Sequence, residues 1–280
     1  IGPYICLSRG ACWPFDGMAS IDACDPVEFG EAMMTDDARL SPTPHPPSQG
    51  TLYGVGLGPG APDLITLRAA RLIEGAAVVA YPALAGGDSF ARSIAADLIA
   101  PDALEIVMDV PMTVERGPAQ AAYDKGAADI AAALDRGQDV VCLCEGDPFF
   151  YGSFMYVFAR LSGKYQVEVV PGVTSITACA ATAGMPLAAR NERLTVLPGP
   201  LPEVELRARI DGAESVVIMK VGRHMAKIRA VIESLGLTDR AMYVERATLP
   251  QEVVLPLKDA PEKAPYFSMI LLTKGADPWL

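Results

Sequence analysis

Residues 144–153 place a Gly-Asp-Pro turn between a buried strand and a helix. The run reads Cys-Glu-Gly-Asp-Pro-Phe-Phe-Tyr-Gly-Ser; it follows the apolar segment Asp139–Leu143 and precedes Phe154–Phe158, where a helical pattern begins. Such a turn exposes backbone amides and one carboxylate at the carboxyl edge of a sheet, where open α/β sheets bind ligands. Gly, Asp and Pro are also the usual residues of strand-to-helix turns, so an ordinary turn is the alternative interpretation.

The composition describes a globular chain with a large core and an acidic surface. Its 280 residues are 51 % hydrophobic and 20 % charged, enough for one large domain or two ordinary ones. The formal net charge of −11 argues against a nucleic-acid partner, which needs a basic face. It does not exclude an anionic small molecule, because local field and net charge are separate properties. No window approaches eighteen uninterrupted apolar residues, so the sequence predicts no membrane span and no membrane partner.

The six cysteines form neither a disulfide framework nor a metal-binding pattern. Cys142 and Cys144 alternate along one predicted strand and therefore share a face, and Cys179 lies in an Ala-rich helical segment. No Cys-x-x-Cys occurs, and His45 and His224 are the only histidines, so the sequence predicts no metal site. Reduced thiols of this kind favour a cytoplasmic protein.

The order of predicted elements divides the chain into an extension and two α/β domains. Residues 1–49 lack sustained periodicity and end in a proline-rich stretch, which predicts a poorly structured extension or vector-derived sequence. Residues 50–164 alternate short apolar runs with helical stretches, which indicates a mostly parallel sheet. In residues 165–280 several strands follow each other without a helix, which indicates a second, mixed sheet. The predicted fold class is therefore α/β.

A glycine-rich loop, Gly54–Gly60, overlaps the end of the predicted strand Leu52–Leu57. Its stretch Gly56–Ala61 fits the loose pattern G-x-G-x-x-G/A, so a nicotinamide-dependent oxidoreductase is one hypothesis. Two observations count against that hypothesis. Pro59 and Pro62 remove amides that would otherwise face a pyrophosphate, and the next strand ends without an acidic residue for a ribose hydroxyl.

Two further loops follow predicted strands in the second half of the chain. Residues 169–175 read Val-Val-Pro-Gly-Val-Thr-Ser and lead into a helix. The hydroxyls of Thr174 and Ser175 can cap that helix, or they can bond a ligand carboxylate at the same positive helix end. Residues 244–248 read Val-Glu-Arg-Ala-Thr and form a weak signal alone.

Taken together, the four loops resemble those of one family. The order Gly-x-Gly-Pro-Gly, Glu-Gly-Asp-Pro-x-x-Tyr-Gly, Pro-Gly-Val-Thr-Ser, Glu-Arg-Ala-Thr is similar to that of the tetrapyrrole methyltransferases of cobalamin (vitamin B12) biosynthesis. The strings Tyr-Gly-Ser-Phe-Met-Tyr at 151–156 and Val-Ile-Met-Lys-Val-Gly-Arg at 217–223 are most similar to the branch that methylates C20 of precorrin-2. The resemblance covers residues 50 to about 275 and leaves the first 49 outside.

The resemblance implies a cleft between the two domains that holds the methyl donor S-adenosylmethionine, and a homodimer. The implied donor-binding residues are Pro59, Glu145, Gly146, Asp147, Phe150, Thr174, Ser175, Met219, Ala247 and Thr248. One departure is Ala61, which stands where the family commonly has an acidic residue after Gly-Pro-Gly.

The implied substrate, precorrin-2, is a tetrapyrrole with many acetate and propionate carboxylates, so an acidic protein needs local cations to bind it. The predicted substrate contacts are Tyr151, Arg190, Lys220 and Arg223. For each cation the alternative is a solvated surface charge, and for Tyr151 it is a buried structural tyrosine.

The sequence assigns no catalytic residue and no acceptor for the proton that leaves the methylated carbon. Transfer from an activated sulfonium needs alignment of the two reactants more than a strong base. Three further hypotheses stay open: cobalt-loaded precorrin-2 as substrate, a methylase acting at another ring carbon, and a binding module that holds a tetrapyrrole without turnover.

Overall fold

A computed structural model of the chain describes residues 49–84, 86–111 and 116–275, together with the strands β1 (Tyr4–Leu7) and β2 (Ala11–Pro14). Taken by themselves, β1 and β2 pair as an antiparallel hairpin. The extension predicted at 1–49 stays a prediction, and its proline-rich end lies outside the described residues. The described residues from Gln49 onward form one compact unit.

The first sheet of this unit has five strands, all parallel, in the order β5-β4-β6-β3-β7. Its strands are β3 (Leu52–Gly56), β4 (Val78–Leu84), β5 (Leu104–Val110), β6 (Val140–Cys144) and β7 (Val167–Val170). The helices that alternate with them are α1 (Leu67–Glu74), α2 (Phe90–Ile94), α3 (Arg116–Leu134) and α4 (Phe154–Leu161).

The second sheet also has five strands, in the order β11-β10-β12-β9-β8, and only β8 and β9 pair in parallel. Its strands are β8 (Leu194–Pro198), β9 (Ser215–Met219), β10 (Ala241–Glu245), β11 (Val253–Pro256) and β12 (Ser268–Thr273). The helices of this half are α5 (Ser175–Thr182), α6 (Glu203–Asp211) and α7 (Met225–Ser234). One parallel and one mixed sheet confirm the predicted α/β fold class.

The central strand β6 is buried on both faces, as its unbroken apolar sequence predicts. Val140, Cys142 and Cys144 pack with residues of α3 and α4, whereas Val141 and Leu143 pack on the other face with residues of α1 and α2. Full burial of a side chain such as Leu143 contributes roughly 1.5–3 kcal/mol. The two cores hold β6 rigidly, so the loop that follows it starts from a fixed point.

Sheet membership changes later in the chain than the predicted domain boundary. The strand β7 pairs in parallel with β3 and therefore belongs to the first sheet, although the sequence interpretation placed residues 165–280 in the second domain. The division at 164/165 stays a prediction about domains. Within the described part of the chain no helix is long and apolar enough to cross a membrane.

Candidate donor site between the sheet edges

The loops that follow three neighbouring parallel strands, β6, β3 and β7, lie at the same carboxyl edge of the first sheet. The loops after β3 and β6 are joined by a short antiparallel bridge, in which the Gly146 amide donates to the Gly58 carbonyl at 2.7 Å and the Gly58 amide donates to the Gly146 carbonyl at 3.2 Å. Leu57 adds a bond from its amide to the Cys144 carbonyl at 2.9 Å. The Gly-Asp-Pro turn and the Gly-Pro-Gly loop are therefore one structural unit.

Glycine is required where the third loop meets the other two. A Cβ on Gly172 would lie 2.0 Å from the Gly146 carbonyl oxygen and 2.9 Å from the Gly56 Cα, both backbone atoms. Gly146 itself has a φ of +64°, in the left-handed region that disfavours residues with a side chain. The close approach of these backbones holds together the loops whose residues Gly58 and Gly146 form the floor of the site.

Both carboxylate oxygens of Asp147 accept hydrogen bonds that hold the loops after β6 and β7. Oδ1 accepts a hydrogen bond from the Phe149 amide at 2.9 Å, and Oδ2 accepts one from the Gly172 amide at 3.1 Å. The first bond closes the turn after β6, and the second joins that turn to the loop after β7. Asp147 is therefore a structural acceptor, whatever else it contacts.

The second sheet covers this floor with the ends of three of its strands. β9 and β10 end, and the antiparallel β12 between them begins, at the edge that faces the loops of the first sheet. A cavity of about 250 Å³ lies between the two sets of loops. Its wall from the second half is mostly apolar and includes Met219, Val244, Ala247, Leu249 and Met269.

The structure brings together all the predicted donor-binding residues except Thr248. The residues that line the cavity are Pro59, Glu145, Gly146, Asp147, Phe150, Thr174, Ser175, Met219 and Ala247. Thr248 is outside this set, and its hydroxyl accepts a hydrogen bond from the Ala61 amide at 3.1 Å. The Thr174 hydroxyl also caps α5, because it accepts a hydrogen bond from the Thr177 amide at 3.5 Å. Thr174 therefore has the structural role that the sequence offered as the alternative to a ligand contact. The donor contacts themselves stay predictions.

The four predicted substrate contacts divide into two pairs. Tyr151 and Lys220 line the cavity together, with Lys220 Nζ 5.3 Å from the centre of the Tyr151 ring. Arg190 and Arg223 lie outside the cavity wall. Arg223 lies on a separate shallow depression beside Arg229, and its Nε donates to His224 Nε2 at 3.5 Å.

Backbone strain is concentrated at the cavity. Among the described residues other than glycine, a positive φ occurs at Tyr151 (55°), Arg190 (47°), Lys220 (55°), Arg246 (48°) and Thr248 (70°). Of these, Tyr151, Lys220 and Arg246 line the cavity. Each such conformation costs about 1–3 kcal/mol and tends to occur where function needs a side chain aimed in one direction.

Several wall residues were not predicted from the sequence. Phe90 and Phe267 both line the cavity and contact each other, with ring centroids 4.9 Å apart, and Tyr266 and Arg246 also line it. Arg246 forms an ion pair with Glu245. Arg246 could have been predicted, because it belongs to the string Glu-Arg-Ala-Thr. Phe90 could not, because its place in the wall depends on how α2 packs.

The cavity contains one carboxylate whose environment opposes ionisation. Burial raises the pKa of Glu145, and hydrogen bonds from its own backbone amide and from that of Ala91 oppose the rise. Burial also raises the pKa of the Cys179 thiol to about 12, so this thiol stays protonated at neutral pH. Tyr266 has its pKa raised by burial and then by the negative charge of Glu145.

These residues suit a ligand that combines an apolar ring with charged groups. The slot formed by Met219, Ala247 and Met269 can hold an adenine ring, and small ligand sites of this kind combine apolar walls with a few polar groups. Asp147, Thr174 and Ser175 supply polar groups within the same cavity. S-Adenosylmethionine, with its adenosine, sulfonium and amino-acid ends, fits that set.

The fold and the cavity define a class of protein: two α/β sheets with a ligand site between their facing edges. The family model for tetrapyrrole (corrin/porphyrin) methylases matches residues 51–261. A precorrin-2 C(20)-methyltransferase from Sinorhizobium sp is 40 % identical over 237 residues, covering 81 % of this chain and 97 % of the relative. A cobalt-precorrin-2 C(20)-methyltransferase from Salmonella typhimurium is 35 % identical over 229 residues, covering 80 % and 97 %.

Among solved structures, the uroporphyrin-III C-methyltransferase of Thermus thermophilus in complex with S-adenosylhomocysteine superimposes with a TM-score of 0.58. It is 26 % identical, and the match covers 80 % of this chain and 92 % of that one. The chain belongs to the tetrapyrrole methylase family.

Proposed function

We propose that the chain transfers a methyl group from S-adenosylmethionine to C20 of precorrin-2, giving precorrin-3A, in cobalamin biosynthesis. The observation that carries the proposal is the identity of 40 % over 97 % of a precorrin-2 C(20)-methyltransferase. A second relative of nearly full coverage acts, by its name, at the same carbon of the cobalt-loaded substrate. The cavity lined by the predicted loops supports the same function.

The residues of the cavity act mainly by positioning. S-Adenosylmethionine supplies a methyl group on a positively charged sulfur. The close contact of Gly56, Gly146 and Gly172 holds the loops of the first sheet together, so Gly146 would support one side of the donor, and the apolar residues Met219 and Ala247 would hold its adenosine. Holding two reactants in line can lower a barrier by roughly 7–11 kcal/mol.

The substrate enters, in this proposal, on the side of Tyr151 and Lys220. Their left-handed backbones aim two neighbouring side chains into the cavity, where Lys220 can pair with a substrate carboxylate. Arg246 also lines this side, held by its ion pair with Glu245. Arg190 and Arg223 stay candidate contacts for the outer parts of a substrate that is larger than the cavity.

A labelling experiment tests the function. The protein is incubated with precorrin-2 and a donor that carries a ¹³C-methyl group, and parallel reactions contain cobalt-loaded precorrin-2. We expect one labelled methyl per product molecule, located at C20 by NMR. A methyl at another ring carbon, or no incorporation with either substrate, would contradict the proposal, and the two arms show which form of the substrate is used.

We also propose a cytoplasmic homodimer. The free thiols Cys142, Cys144 and Cys179 are buried and fit a reducing compartment. At one edge of the first sheet, β5 exposes the apolar side chains of Leu104 and Val107, and a second chain would cover such an edge. Sedimentation equilibrium at micromolar concentration tests the dimer.

A further inference from the structure

The proposed reaction leaves one proton without an acceptor. Methyl transfer breaks the donor's sulfur–methyl bond, whose electron pair stays on sulfur, and forms a carbon–carbon bond from the π electrons of the ring. The methylated carbon then carries both the new methyl group and its original hydrogen, and the positive charge lies on the conjugated nitrogens. Breaking the carbon–hydrogen bond returns its electron pair to the ring, and the proton must pass to a base.

Most titratable side chains of the described cavity wall are unsuited to that task. Lys220 and Arg246 are cations, and Cys179 stays protonated because burial raises its pKa to about 12. Burial also raises the pKa of Tyr266, so its phenol keeps its proton at neutral pH. Asp147 already accepts two hydrogen bonds from backbone amides, one at each oxygen, and these bonds hold the loops in place.

Glu145 differs from Asp147 in its surroundings. It lies in the first position after β6, lines the cavity, and is only partly exposed. Burial raises the pKa of its carboxyl group, and a hydrogen bond from the Ala91 amide acts against that rise. Burial, and to a smaller extent the negative charge of Glu145, raises the pKa of Cys144, Tyr123 and Tyr266, so these three side chains are neutral at neutral pH.

We propose that the Glu145 carboxylate accepts the proton that leaves the methylated ring carbon. This inference rests on the proposed function and names the catalytic base that the function requires. The geometry gives the residue two properties that the role needs: a place on the cavity wall and a partly buried environment. A carboxylate whose pKa lies above its usual range is a better base at neutral pH than an exposed one.

The central experiment compares Glu145→Gln with the wild-type protein and with Glu74→Gln, an exposed glutamate at the end of α1. A general base typically contributes 10²–10⁴-fold, so we expect kcat of Glu145→Gln to fall about 100-fold. The affinity for S-adenosylhomocysteine, measured by calorimetry, should stay within about threefold, since a glutamine of the same shape keeps the acceptor oxygen. Glu74→Gln should match the wild type in both measurements.

Two further readouts separate a base from a structural residue. With a substrate deuterated at C20, Glu145→Gln should show a primary isotope effect larger than that of the wild type, because proton removal becomes slow. The acid limb of the pH profile should also change. The activity of the wild type should rise with pH through the raised pKa of Glu145, and the Glu145→Gln variant should lose that limb.

A second variant, Glu145→Ala, removes the carboxylate altogether, and added formate should then restore part of kcat. NMR of δ-¹³C-labelled glutamate measures the same pKa without turnover.

The inference is wrong if Glu145→Gln keeps kcat within a few-fold, keeps the acid limb and shows no increased isotope effect. It is also wrong if the variant loses affinity for S-adenosylhomocysteine in proportion to its loss of rate, since Glu145 would then be a donor-binding residue. The proposed function fails separately, in the wild type, if no methyl reaches C20.

Discussion

Replacing Gly172 with alanine is expected to lower the free energy of unfolding by about 3 kcal/mol and to abolish S-adenosylhomocysteine binding. The added Cβ would lie 2.0 Å from the Gly146 carbonyl oxygen, so one of two backbones must move. That movement would also break the bond from the Gly172 amide to Asp147. Urea unfolding measures the stability, and calorimetry measures binding at a temperature where the variant is folded.

A matched control is available at Gly163, between α4 and β7. A Cβ there meets no atom within 4 Å, and its φ lies outside the left-handed region. Gly163→Ala should therefore change stability by less than about 1 kcal/mol and leave binding unchanged. If Gly172→Ala behaves like this control, the three loops are not the rigid floor described above.

Replacing Lys220 with glycine should raise the KM for the tetrapyrrole about 10–100-fold while leaving the fold at least as stable as in the wild type. The loss of affinity corresponds to a charge-assisted bond of about 1.5–3 kcal/mol. Stability is preserved because glycine adopts the φ of +55° at position 220 without strain. Binding of S-adenosylhomocysteine should change little.

Lys220→Ala is the control that separates charge from strain. It removes the same ammonium group and the same contact with the Tyr151 ring but keeps a Cβ in the left-handed backbone. Its KM should match that of Lys220→Gly, while its stability should be about 1 kcal/mol lower. An unchanged KM in both variants would remove Lys220 from the substrate site.

The order of strands and helices was largely predictable, because each element has a local signature. The apolar runs Leu52–Leu57 and Asp139–Leu143 gave β3 and β6 to within a residue or two. Sheet membership was not predictable, since periodicity is the same for a strand in either sheet. β7 joins the first sheet only because its backbone pairs with β3 in three dimensions.

The cavity was predictable as a place but less so as a set of contacts. The Gly-Asp-Pro turn does lie at the carboxyl edge of the first sheet, as strand order and turn chemistry indicated. No local rule shows that Asp147 bonds the Gly172 amide across 25 residues of chain. The left-handed backbones of Tyr151 and Lys220 run against residue preference, so only the tertiary structure reveals them.

The central claim is that the methyl donor binds between the facing edges of the two sheets. A crystal structure of the protein with S-adenosylhomocysteine tests it most directly. We expect the ligand in the cavity lined by Gly58, Asp147, Met219 and Ala247, with its adenine in the apolar slot of the second sheet. Density for the ligand at any other surface, with this cavity empty, would contradict the account.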